Sequence, residues 1–232
     1  MTFVLAAAAM LLGVSAAAGP LVVRASGPSA ASFKPGQRLP DAPLVLKAGD
    51  MVMVLDTKGT RSFSGPGSFS FSAPSAAASQ PAFAALLVQK PERRARIGAV
   101  RGSRGEEKGA PVPPGIWAVD AGISSTVCAR DPAAISLWRA DPQAPATLTI
   151  TRASDGAAAS LAFAGGQAVA GLPAAVAGSA GTLRITGGKT PVAITIKSVS
   201  PAADIEALGA QFVAQGCDGQ FARLAKLTVQ PQ

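Results

Sequence analysis

The run Ala146-Thr147-Leu148-Thr149-Ile150-Thr151-Arg152, followed after Asp155-Gly156 by Ala158-Ala159-Ser160-Leu161-Ala162-Phe163, sets the expectation for the fold. Two short segments rich in apolar and β-branched residues, separated by a turn dipeptide, read as neighbouring β-strands. The same punctuation recurs on both sides. Candidate strands are Ile116–Val119, Ser125–Ala129, Ile135–Arg139, Thr182–Thr186 and Val192–Val199, with Asp141-Pro142, Gly165-Gly166 and Gly187-Gly188 as turns. Short strands at this spacing favour a sandwich or a partial barrel. Trp117 and Trp138 fall within this region and are expected in its core. Gly187-Gly188-Lys189-Thr190 lacks the leading glycine and the following helix of a phosphate loop, so it reads as a hairpin turn.

Beyond the strands the period changes. Ser200 is placed to cap a helix with Pro201 in its first turn, Ile205, Leu208, Phe212 and Val213 recur at helical spacing, and Gly216 is a stop. Asp218 is placed to cap a second helix carrying Phe221, Leu224 and Leu227. These apolar stripes need a β-layer to bury against. The expected class is therefore mainly β, with a small N-terminal β-domain and a C-terminal β-sandwich-like domain ending in a helical segment.

Upstream, Leu21-Val22-Val23 starts a strand and Pro35-Gly36 turns the chain. Leu44-Val45-Leu46 and Met51-Val52-Met53-Val54-Leu55 flank Ala48-Gly49-Asp50, which reads as a hairpin. Phe63, Phe69 and Phe71 share the odd-numbered alternation of one buried face. The run Leu46-Lys47-Ala48-Gly49-Asp50-Met51-Val52, with Gly59-Thr60-Arg61 and Gly65-Pro66-Gly67-Ser68-Phe69, resembles the N-terminal β-repeat of alphaproteobacterial exported proteins. It is more distantly similar to FecR-type periplasmic domains. The resemblance covers about a fifth of the chain and implies an extracytoplasmic β-domain; the whole chain is expected to act as a binding or signalling/scaffold module.

The organisation expected is a signal peptide or membrane anchor at 1–18, a small FecR-like β-domain at 19–72, a linker at 73–115 and the β-sandwich-like domain at 116–232. The N-terminal assignment rests on an uncharged apolar stretch from Phe3 ending in small residues, with several cleavage choices across Ser15–Ala18. It implies a periplasmic or otherwise exported protein, or one held at the inner membrane by an uncleaved segment. In the linker, Pro81 to Gln89 is a short candidate helix carrying Phe83, Leu86 and Leu87. The following stretch is rich in glycine and in the basic residues Arg93, Arg94, Arg96, Arg101 and Arg104.

Composition narrows the chemistry. The 232 residues include no His and no Tyr, and charged residues make up 15%. Histidine-dependent triads, His-ligated zinc or haem, and imidazole or phenol acid–base steps are thereby excluded. No catalytic residue, cofactor site or metal site is expected, and the chain reads as non-enzymatic. The enzymatic alternative is a small cell-wall hydrolase using carboxylates such as Asp50, Asp120 or Asp131, or a Ser–Lys pair. The formal net charge of +8 suggests acidic partners. In an exported protein these are an envelope protein, an anionic membrane or lipopolysaccharide, with the linker arginines as contacts and no nucleic acid expected. Cys128 and Cys217 are the only cysteines. In an oxidising compartment they are expected to pair rather than to act in redox chemistry, for which a C-x-x-C spacing is missing.

Overall fold

The computed structural model describes residues 19–71, 80–87 and 111–229. The N-terminal apolar stretch and the basic stretch with Arg93, Arg94, Arg96, Arg101 and Arg104 lie outside the described residues.

The N-terminal strands are β1 (Leu21–Ser26), β2 (Leu44–Leu46), β3 (Met51–Asp56), β4 (Gly59–Ser64) and β5 (Gly67–Phe69). β3 lies between β1 and β4 in an antiparallel sheet, while β2 pairs with β5 in a separate ribbon. The hairpin expected from Leu44–Leu46 into Met51–Leu55 is thus corrected: the Gly49-Asp50 turn is present, but its two strands enter different layers. The physical reason is that β3 needs cover. Val52 and Val54 point to one face, and Leu44, Leu46 and Leu39 close over them in one apolar cluster with Val22. Phe63, Phe69 and Phe71 flank this cluster half-buried, with ring centroids 5.1 and 5.6 Å from Phe63, as the alternation predicts.

The second β-region holds β6 (Ala118–Asp120), β7 (Ser125–Ala129), β8 (Ser136–Trp138), β9 (Ala146–Arg152), β10 (Ala158–Phe163), β11 (Val169–Gly171), β12 (Gly181–Thr186) and β13 (Val192–Ser198). They form a five-stranded sheet in the order β10-β9-β12-β13-β7 and a three-stranded sheet in the order β11-β8-β6. The opening run is the β9–β10 hairpin, in continuous register from Ala158↔Thr151 to Phe163↔Ala146. Leu148, Ile150, Leu161, Phe163, Leu183, Ile185, Ile194 and Ile196 point inward and meet Val119, Leu137 and Ala170 of the smaller sheet. Period-two alternation puts Thr147, Thr149 and Arg184 on the opposite, exposed face. The Gly187-Gly188 turn joins the antiparallel strands β12 and β13. Two pairings are parallel, β13 with β7 and β6 with β8, and β11 joins the smaller sheet without having been expected.

Three α-helices are present among the described residues: α1 (Gln80–Leu86), α2 (Ile205–Gln215) and α3 (Asp218–Leu227). Two caps differ from expectation. Asp204, not Ser200, caps α2, because its extended backbone lets Oδ1 accept the Ala207 N–H at 2.8 Å. Ser200 is occupied otherwise, its N–H and carbonyl both bonded to the side-chain amide of Gln211. Asp218 is the first residue of α3 rather than its cap, and Cys217 takes the cap position. Gly216 ends α2 in a left-handed conformation, φ 72°, as a C-terminal glycine should.

The helices bury their stripes between the two β-regions. One apolar cluster joins Leu21 and Leu55 of the first region, Ile116, Trp117, Cys128 and Val199 of the second, and Ile205, Leu208, Phe212, Phe221 and Leu224 of α2 and α3. The helical segment therefore belongs as much to the N-terminal sheet as to the sandwich. Both tryptophans are buried. The Trp117 indole donates to the Leu86 carbonyl at 2.7 Å, tying down the end of α1, and stands edge-on to the Phe212 ring.

Candidate interaction surface

Cys128 of β7 and Cys217 at the start of α3 are joined by a disulfide, with Cα atoms 5.9 Å apart and both residues buried. Beside it lies a residue that sequence reasoning missed. Gln220, one turn into α3, is almost fully buried. Its Oε1 accepts the Cys128 N–H, and its Nε2 donates to the carbonyls of Cys128 at 2.8 Å and Ile116 at 2.9 Å. β7 is an edge strand, so its outward N–H and C=O would otherwise lack partners. The glutamine amide, carrying both a donor and an acceptor, replaces the missing neighbouring strand. Arg223, one turn on, donates to the Ala118 carbonyl of the edge strand β6 at 2.7 Å. Burial lowers the pKa of this guanidinium, and the charge of Asp120 opposes the shift.

The carboxylates that sequence analysis considered for catalysis are engaged in turns. Asp50 is buried and accepts the N–H groups of Ser29 and Lys47, both at 2.8 Å. The Ser29 bond is the main cause holding its carboxyl below the usual range, against desolvation. Asp120 and Asp131 accept the N–H groups of Gly122 and Ala133, two residues on. Asp56, Asp141 and Asp155 do the same for Lys58, Gln143 and Ala157. This is the turn-forming use of a short acidic side chain. Asp56 also pairs with Arg61, and Asp155 with Arg152. Glu206 binds Arg38, which also donates to the Gly19 carbonyl, so the first described residues are anchored to α2. Burial pushes the Glu206 carboxyl upward against the pull of Arg38.

The cations are distributed differently. The five strands of the larger sheet contain no Asp or Glu, yet they present Arg184 and Lys197 on the exposed face, with Lys189 at the β12–β13 turn. Thr147, Thr149, Thr186 and Ser160 share that face, and the strands that form it carry no acidic residue. The arginines expected as anion contacts, Arg93, Arg94, Arg96, Arg101 and Arg104, lie outside the described residues.

A shallow cleft of about 260 Å³ opens among Leu87, Arg130, Asp131, Ala134, Val199 and Pro201. Arg130 there donates to the Leu87 carbonyl and Asp131 caps its own turn, so both charged side chains hold structure. Among the described residues no cluster of His, Cys, Asp and Glu could hold a metal, and no helix is long and apolar enough to cross a membrane.

Compared with known proteins, the chain matches no protein-family model, no curated protein and no solved structure.

Proposed function

We propose that this chain is a non-enzymatic cell-envelope protein, working outside the cytoplasm as a binding or scaffold module on an anionic surface. The asymmetry between its charges carries the reading. Among the described residues Asp50, Asp56, Asp120, Asp131, Asp141, Asp155 and Glu206 are engaged in turns or ion pairs, while Arg184, Lys189 and Lys197 face solvent on a sheet whose strands carry no Asp or Glu. The arginine run at Arg93, Arg94, Arg96, Arg101 and Arg104 adds charge of the same sign. A disulfide, an apolar N-terminal stretch and the FecR-like run all suit an exported protein. The carboxylates weighed for a cell-wall hydrolase are each engaged by turn N–H groups, which favours binding over hydrolysis.

The ligand chemistry is a surface of phosphate groups, either phospholipid head groups or lipopolysaccharide. Sedimentation with phosphatidylglycerol vesicles should show binding that weakens with salt, and phosphatidylcholine vesicles should show none. Each basic residue near such a surface contributes about 1 kcal/mol, or roughly fivefold in affinity. Replacing Arg93, Arg94, Arg96, Arg101 and Arg104 by Gln should therefore abolish binding. R184Q/K197Q should weaken it by more than tenfold. Equal binding to neutral and anionic vesicles would contradict the reading.

A further inference from the structure

An edge strand carries a row of unpaired N–H and C=O groups, and folded proteins guard such rows with charge, proline, bulges or a covering element. Four edges of this molecule are guarded. β7 is closed by Gln220, β6 by Arg223, and β4 at Thr60 by the residue that ends α3, where the Thr60 N–H donates to the Thr228 carbonyl at 2.8 Å. β1 is closed by the following loop, through the bonds Val22 N–H to Gln37 O and Gly36 N–H to Val22 O. β2, β5 and β11 are edges of only three residues each, and β10 is the one long edge left without such a guard among the described residues. It pairs only with β9, runs six residues without a bulge, and contains no charge and no proline. β11, which follows it, hydrogen-bonds to β8 instead. Among the described residues no side chain or loop bonds to its outer edge.

We infer that the outer edge of β10 pairs antiparallel with β10 of a second copy, joining two five-stranded sheets into one of ten strands. The side chains suit a two-fold axis. Ala158, Ser160 and Ala162 lie on the exposed face, and Ala159, Leu161 and Phe163 on the inner one. A register centred on Leu161 sets Phe163 of each copy against Ala159 of the other, a large side chain opposite a small one. No like charges meet, and an uncharged edge has nothing with which to select an acidic or basic segment of another protein. The net charge of +8 does not forbid the pairing. Arg184 sits two strands in from the edge, so the two copies of it are separated by five strand spacings, about 24 Å. That is well beyond the screening length of about 8 Å at physiological salt.

The test is sedimentation velocity on the full oxidised chain across a dilution series, without vesicles. It therefore succeeds or fails independently of anionic-surface binding. The wild-type chain should be a dimer that dissociates on dilution. S160K, on the exposed face, should raise the dimer dissociation constant at least tenfold with unchanged circular dichroism. S160E should do the same, and mixing the two variants should restore a dimer. A wild-type chain that stays monomeric throughout would overturn the inference. So would S160K dimerising as tightly as wild type, or a mixture that stays monomeric.

Discussion

At the residue scale the molecule turns on Gln220, whose amide makes three hydrogen bonds inside a packed core. Replacing it with Leu keeps much of the volume but leaves the Cys128 N–H and the carbonyls of Cys128 and Ile116 without partners. Each buried group left unpaired costs about 1–3 kcal/mol, so Q220L should lose about 3 kcal/mol or more. A clear drop in the urea midpoint would show this, and an unchanged midpoint would mean that water replaces the amide. Nothing in the sequence marked this residue. A lone glutamine near a helix start looks like a solvated one, and only the fold reveals that it faces a bare strand edge. The cysteines were more legible, because two thiols in a chain expected to be exported have few alternatives. The acidic residues were legible only as residue types; their use in turns follows from geometry two residues downstream.

At the element scale, periodicity carried most of the assignment and topology carried the surprises. The β9–β10 hairpin, the β12–β13 hairpin and the apolar stripes of α2 and α3 follow from local pattern. The placement of β2 away from β3, the parallel pairs and the short β11 do not, because they depend on which distant strand covers which face. The α2 cap lies at Asp204 because the helix begins at Ile205, five residues beyond Ser200, whose backbone groups are bonded to Gln211. Gly209 is a second feature of α2 that pattern did not show. A Cβ there would stand 2.6 Å from Leu55 Cδ2 and 3.3 Å from Leu21 Cδ1, so the glycine lets α2 settle onto β1 and β3. Alanine has the better helix propensity by about 1 kcal/mol. Overpacking a site where Leu55 is fully buried costs about 1–3 kcal/mol. G209A should therefore lower the thermal midpoint modestly, whereas a rise would show that the helix can move outward at no cost.

At the scale of the whole molecule, two β-regions meet through one helical pair, and the disulfide fixes that pair to the sandwich. The mainly β class was readable from strand spacing. The shared central core was not, since Leu21 and Leu224 are separated by nearly the whole described chain and no local signal links them. The proposed function rests chiefly on missing residue types and surplus positive charge, and the basic stretch that prompted the anionic-surface reading lies outside the described residues. The account holds most directly on the state of the two cysteines in the protein as cells make it. The bond closes a loop with a sequence separation of 89 residues, worth about 4–5 kcal/mol in the chain-entropy treatment. Protein purified from an osmotic-shock or envelope fraction, denatured and alkylated without reductant, should gain no adduct, and after reduction it should gain one at each of Cys128 and Cys217. Alkylation of both cysteines before reduction, in protein recovered from the cytosol, would contradict it.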